Sequence, residues 1–163
     1  MKKGFELLIN KNLTDSLNLD ELELKYGIKI PPIYRLFVES FDLGEGNIKK
    51  DILIENNNPH PYYLSGFIFE PNPEASIVHF NTIETVLSLS YEAEIELWSE
   101  YLPIAAPGFN GAIVVGLEGN DIDKVFLHDI EVEPYLTFLS SNIFEFVRGL
   151  VSLPNTFYLG SKF

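Results

Sequence analysis

The chain of 163 residues contains no cysteine, and it has only three histidines, one methionine and one tryptophan. Without cysteine there can be no disulfide, no thiolate-bound zinc and no thiol nucleophile. No apolar run approaches the roughly 20 residues that a membrane-spanning helix requires. The apolar patch near the N-terminus is interrupted by Glu6 and is shorter than the ~7–15 apolar residues of a secretory signal. We therefore expect a cytoplasmic protein.

Lysine and arginine are absent between Lys50 and Lys124, although the chain as a whole carries a net charge of −13. The same segment contains a dozen acids: Asp51, Glu55, Glu70, Glu74, Glu84, Glu92, Glu94, Glu96, Glu100, Glu118, Asp121 and Asp123. Contacts to phosphates need Lys and Arg, so no nucleic-acid partner is expected. A basic protein would be attracted to this surface. An acidic surface also keeps proteins soluble, and charge alone does not decide between the two interpretations.

The composition predicts one folded domain. Apolar residues make up 46% of the chain, and 22 residues are aromatic. A chain of this size can bury roughly 70% of the surface it exposes when unfolded. We assign residues 1–19 to an N-terminal extension, residues 20–152 to the domain and residues 153–163 to a C-terminal tail.

The stretch from Leu22 to Gly46 predicts two helices separated by a proline stop. Gly27 ends the first, and Pro32 can open the second at its first position. Apolar side chains at i, i+3, i+4 and i+8 predict one buried stripe: Ile33, Leu36, Phe37 and Phe41. The second helix is expected to reach Leu43, with Gly44 as its left-handed cap.

Further elements follow along the chain. Strands are predicted at about 48–55, 62–70, 101–106, 112–117 and 124–129, and a helix begins near Asn81, where Glu84 can complete a capping box. Ser141 or Asn142 caps a closing helix. Consecutive strands late in the chain predict an α+β fold with an antiparallel or mixed sheet, flanked by N-terminal, middle and C-terminal helices.

Several short motifs occur in a familiar order. Ile30-Pro31 is followed by Tyr34 and Phe37, and then come LPIA at 102–105, VVGL at 114–117 and SNIFEFVRGLV at 141–151. This order resembles the SUKH (SMI1/KNR4) family. The resemblance implies a SUKH-like fold and a function in protein binding rather than catalysis. It implies, for a bacterial member, an immunity protein that neutralises a cognate toxin, and, for a eukaryotic-type member, a regulatory scaffold without a toxin.

Asp121, Asp123 and His128 form the one cluster that suggests a metal or acid–base site. Two carboxylates separated by one residue on a strand share a face, and the histidine could add a ligand. A metal-dependent hydrolase is therefore a further alternative. The pattern lacks the longer run of oxygen ligands of a calcium loop, and an ordinary polar turn is preferred. We expect no catalysis, no metal and no cofactor.

Glu92, Glu96 and Glu100 would line one face of a helix that carries no lysine. Like charges at this spacing each cost a few tenths of a kcal/mol unless a partner supplies cations. We therefore expect a one-to-one complex with a basic toxin domain, for example that of a nuclease toxin. The partner-binding residues predicted are Glu92, Glu96, Glu100, Glu118, Asp121 and Asp123. Neither a membrane nor a nucleic acid is expected as partner.

Overall fold

The structure, a computed structural model, describes residues 3–12, 17–44, 67–92, 99–107, 111–131, 133 and 135–152. The helices in these ranges are α1 (Leu19–Tyr26), α2 (Pro32–Ser40), α3 (Ile83–Glu92) and α4 (Ile143–Arg148). The strands are β1 (Ile9–Asn10), β2 (Phe41–Asp42), β3 (Phe67–Phe69), β4 (Asn72–Phe80), β5 (Tyr101–Pro107), β6 (Gly111–Gly116), β7 (Val125–Asp129), β8 (Leu136–Ser140) and β9 (Leu150–Ser152). None of these helices is long and apolar enough to span a membrane.

A seven-stranded sheet in the order β8-β7-β6-β5-β4-β3-β9 forms the centre of the described fold. All of its described strand pairs are antiparallel. Strands β1 and β2 form a separate antiparallel pair. The predicted α+β class is confirmed, and the described strands give the antiparallel form of the sheet.

The helices pack on one face of this sheet. Buried side chains of α2, α3 and α4 share one core with Ile113, Val115 and Val125 of the sheet. A second cluster contains Tyr101, Ala112, Val114 and Phe126, with Leu136 against it. Successive residues of a strand point to opposite faces, so the second cluster lies on the face away from the helices.

The predicted stripe on α2 is partly wrong. Phe37 is fully buried, as expected, but Leu36 is 56% exposed and Phe41 is only half-buried. The side chains that α2 buries are those of Tyr34, Phe37 and Val38, which also follow the i, i+3, i+4 pattern. Leu36 points away from the core because neighbouring helical residues are turned by about 100° relative to one another.

Helix α2 also ends earlier than predicted. Its last residue is Ser40, and Phe41 already pairs with Asn10 of β1. Gly44 has a positive φ of 122°, but it follows β2, and its N–H donates to the carbonyl of Phe80 at 3.0 Å. Its expected function as a helix cap is therefore wrong. Phe41 and Asp42, which were expected to be helical, instead form β2 and pair with β1.

Other local predictions had mixed outcomes. Gly27 ends α1 with φ 66°, and the Asn142 side chain caps α4, both as expected. Helix α3 is capped by Thr82, whose hydroxyl accepts the N–H of Thr85, whereas Asn81 is buried and donates to the carbonyl of Pro103. The strand predicted at 48–55 lies outside the described residues, as does the 62–66 part of the strand predicted at 62–70.

The described part of the predicted extension contributes to the core. Leu7, Leu8 and Leu19 are buried in the main cluster. Lys3 forms an isolated bridge with Val151 of β9. The N-terminal segment is thus packed against the same body as the helices.

Candidate functional site

The candidate site is a tight turn, residues 116–124, that connects β6 to β7; we call it the acidic turn. The N–H of Gly116 donates to the carbonyl of Lys124, and the N–H of Asp123 donates to the carbonyl of Gly116, both at 3.0 Å. A Cβ atom at position 116 would lie 2.0 Å from the backbone oxygen of Asp121. Only glycine allows the turn to fold back this closely onto the strand.

Asp123 points into the protein from the end of this turn. Its side chain is buried, and its Oδ1 and Oδ2 accept the backbone N–H groups of Tyr34 (2.9 Å) and Ile33 (3.1 Å). Asp123 has φ 65°, a left-handed conformation that Asp tolerates better than most residues. Its predicted place on a partner-facing surface is therefore wrong, because both carboxylate oxygens are occupied inside the fold.

Asp121 lies on the outer side of the same turn. Its Oδ2 accepts the hydroxyl proton of Tyr101 at 2.6 Å. That hydrogen bond, together with burial, raises the pKa of Tyr101 to about 12. Asp121 ends a short 3-10 segment and Asp123 follows it, so the expectation that they share the face of one strand is also wrong.

Three of the predicted partner-binding acids meet at one pocket. It has a volume of about 180 Å³, and its lining consists of Glu100, Tyr101, Glu118, Asn120 and Asp121. Glu100 and Glu118 are exposed, and Asp121 is half-buried. Within the part of the chain that the structure describes, no ion pair involves Glu100 or Glu118. The pocket therefore combines several negative charges with an accessible opening.

Two predicted acids from the expected helix face remain. Glu92 is the last described residue of α3, and Glu96 lies outside the described residues. Glu100 directly precedes β5 and is not part of α3. Glu100 is therefore not on the described part of α3, and the segment that would join Glu92 to Glu100 as one helical face lies outside the described residues.

The alternative metal site does not form among the described residues. No group of three His, Asp or Glu side chains in these ranges is arranged so that it could hold a metal ion. The carboxylate of Asp123 is occupied by hydrogen bonds to the start of α2. Burial lowers the pKa of His128 on β7, and the negative charge of Asp129 partly opposes this shift. The structure therefore does not assemble Asp121, Asp123 and His128 into a hydrolytic centre.

An aromatic row, which sequence analysis did not find, extends from the acidic turn across the outer sheet face. The ring of Tyr101 lies 5.6 Å from that of Phe126, which lies 6.0 Å from that of Phe138. Both contacts are edge-to-face. The alternation of side chains along the strand predicted at 124–129 indicates that Phe126 lies on the opposite face from Val125 and Leu127. The sequence does not indicate that Tyr101 and Phe138 lie beside Phe126, because that depends on how the strands are aligned.

Neither a family model, nor a curated protein, nor a solved structure matches this chain.

Proposed function

We propose that the protein is a non-catalytic binding module that occupies and neutralises a basic protein partner. The observation that carries this proposal is the meeting of Glu100, Glu118 and Asp121 around one open pocket. Like charges held together raise the energy of the free protein, and a cationic partner relieves that repulsion. The acidic turn is held by backbone hydrogen bonds, so these charges are already positioned before a partner arrives.

The hydrogen bonds of Asp121 and Asp123 also support a binding function over a catalytic one. Asp123 accepts two backbone N–H groups and Asp121 accepts the hydroxyl of Tyr101, so neither is poised to take a proton from a substrate. The resemblance to SUKH immunity proteins suggests the class of partner. A toxin domain with a basic cleft, such as that of a nuclease, has the charge that this pocket complements.

Capture of the partner tests the proposal. Tagged protein would be used to isolate a binding protein from the source organism, and the purified pair would be mixed to measure stoichiometry, association rate and inhibition of the partner's activity. We expect a one-to-one complex whose association slows as salt is raised. Glu118→Lys should slow association several-fold. Glu74→Lys, the same charge change at another exposed site, is the matched control.

Two outcomes would overturn the proposal. One is a partner that binds the Glu100→Lys/Glu118→Lys double variant as fast as the unaltered protein. The other is turnover in a panel of esterase, phosphatase and nuclease substrates, with and without divalent metals, that disappears in Asp121→Asn.

A further inference from the structure

Strand β8 is the outermost described strand at one end of the seven-stranded sheet. The N–H of Asp129 donates to the carbonyl of Tyr135 at 3.0 Å, so this pair is hydrogen-bonded. Hydrogen-bonded and non-hydrogen-bonded pairs alternate along an antiparallel ladder. The register is unshifted from Tyr135 to Phe138, so Leu136 and Phe138 form non-hydrogen-bonded pairs with His128 and Phe126 of β7. Their backbone N–H and C=O groups therefore point away from β7. A row of donors and acceptors faces outward.

The side chains of β8 do not protect this edge. Exposed edge strands usually carry Lys, a proline or an inward-pointing charge that prevents pairing with other chains. The β8 sequence, LTFLS, has none of these. Phe138 is 55% exposed, and Tyr135, which directly precedes the strand, is 50% exposed. Among the described residues, apolar and aromatic side chains thus flank the outward-facing backbone groups.

The charges nearby indicate which kind of strand this edge would accept. The connection between β7 and β8 carries Glu131 and Glu133, both exposed. The aromatic row continues from Phe138 through Phe126 to Tyr101, whose hydroxyl binds Asp121 of the acidic turn. Pairing with a second copy is opposed by a net charge of −13 on each chain. A segment with positive charge is favoured instead.

We propose that β8 is a docking edge at which an extended segment of a basic partner protein adds one strand to the sheet. Backbone hydrogen bonds to Leu136 and Phe138 supply affinity, and Lys or Arg side chains of the segment lie against the acidic connection. Apolar residues at alternate positions of the segment cover Phe138. This inference rests on the proposed function, for which it supplies a mode of docking.

Synthetic peptides test this without knowledge of the natural partner. The probe is a peptide of alternating Lys and Val, titrated against the full-length protein by calorimetry and by amide chemical shifts. Its control has the same sequence with every second amide N-methylated, which removes one edge of hydrogen-bond donors. We expect the unmodified peptide to bind at least ~10-fold more tightly than the methylated one. We also expect the largest shifts in β8. Equal affinity of the two peptides, or shifts confined to other strands, would overturn the proposal.

Variants of the protein separate backbone pairing from charge. Phe138→Pro removes an outward N–H together with the ring, whereas Phe138→Thr removes the ring alone. We expect the proline variant to bind the peptide several-fold more weakly than the threonine variant. Glu133→Lys should weaken binding about 3-fold or more at low salt, and Glu74→Lys should not. Thermal unfolding verifies that both Phe138 variants are folded. If the two folded variants bind the peptide equally, the proposal is contradicted.

The same measurements distinguish this inference from the proposed function. A basic partner that is captured and inhibited equally by Phe138→Pro and Phe138→Thr leaves the proposed function standing and refutes docking at β8. A peptide that binds β8 while Glu100→Lys/Glu118→Lys leaves the captured partner's association unchanged overturns the proposed function, which depends on the acidic pocket, and leaves docking at β8 standing. Sedimentation of the unaltered protein tests whether β8 pairs with a second copy of the chain. A dimer that is lost in Phe138→Pro would show that it does, and would overturn the proposal.

Discussion

Asp123 caps a helix that begins about 90 residues earlier in the chain, because its Oδ1 accepts the backbone N–H of Tyr34 at 2.9 Å. Helix α2 has Pro31 at its N-cap position, and Pro31 offers no side-chain hydrogen bond. Pro32 has no N–H to satisfy, and Oδ2 of Asp123 accepts the N–H of Ile33. One carboxylate from the acidic turn thus completes the start of α2, where negative charge is also favoured by the helix dipole.

Removal of this carboxylate should destabilise the protein substantially. Asp123→Ala leaves two N–H groups at the start of α2 without an acceptor, and we expect a loss of about 2 kcal/mol in the free energy of unfolding. Asp123→Asn keeps one acceptor oxygen and tolerates the left-handed backbone, so its loss should be about half as large. Chemical denaturation measures both. Glu118→Ala, an exposed neighbour in the same turn, is the control, and a loss equal to that of Asp123→Ala would contradict the capping interaction.

Two glycines of the acidic turn provide a matched pair. Gly116→Ala would force a Cβ to within 2.0 Å of the Asp121 backbone oxygen, and we expect a loss of about 3 kcal/mol. Gly119 has φ 66°, and no atom of its non-adjacent described neighbours lies within 4 Å of the place that a Cβ would take there, so Gly119→Ala should cost only about 1 kcal/mol of backbone strain. Thermal unfolding of the two variants compares them. Equal losses would show that the close approach at Gly116 is not limiting.

The hydrogen bond between Tyr101 and Asp121 should be visible in an alkaline titration. The pKa of Tyr101 is raised to about 12, so tyrosinate absorbance should show a group that ionises near pH 12 and disappears in Tyr101→Phe. Because the folded-state pKa lies above the ordinary value of 10.0, the stabilisation is complete below pH 10 and is lost as the pH rises towards 12. Asp121→Asn should lower the pKa of Tyr101 by removing the acceptor charge. An unchanged titration in that variant would exclude Asp121 as the cause.

The hydroxyl of Tyr34 should be dispensable. It is buried and has no hydrogen-bond partner among the described residues, and burial raises the pKa of Tyr34. Tyr34→Phe removes an unsatisfied polar group, so stability should stay the same or rise by up to about 1 kcal/mol. Tyr101→Phe, which removes a hydroxyl that has a partner, should instead lose about 1 kcal/mol. If Tyr34→Phe were the more damaging of the two, its hydroxyl would have to make an interaction in solution.

Neighbouring residues of α2 should differ sharply in their contributions. Phe37 is fully buried among Phe80, Phe144 and other rings, so Phe37→Ala should cost about 3–5 kcal/mol. Leu36 is 56% exposed, and Leu36→Ala should change stability by less than about 0.5 kcal/mol. Denaturant unfolding of both variants measures this. Comparable losses would mean that Leu36 is covered in solution.

Local signals in the sequence predicted local structure well. Gly27, Asn142 and the strands of 101–129 were identified because each depends on residues within a few positions of one another. Strands β1, β2, β4, β8 and β9 were missed. β4 begins with Asn72 and Pro73, which favour a turn, and its pairing with β3 and β5 overrides that preference.

The site required information that no local pattern contains. Asp121-Ile122-Asp123 looks like two equivalent carboxylates, yet one faces the pocket and the other reaches across the fold to Tyr34. The difference arises from the positive φ of Asp123 and the close approach at Gly116, both consequences of the tertiary fold. The absence of Lys and Arg from residues 51–123 did indicate Glu100, Glu118 and Asp121 as candidate residues, and the structure brings these three together.

The acidic turn divides its residues between those that can change and those that cannot. Gly116, Asp121 and Asp123 are fixed by the close approach at the strand, by Tyr101 and by α2. Glu118 and Asn120 are exposed and hold none of these contacts. Substitutions at positions 118 and 120 can therefore alter the charge and shape of the pocket without loss of the fold, which gives the turn a rigid frame with a small set of exchangeable side chains.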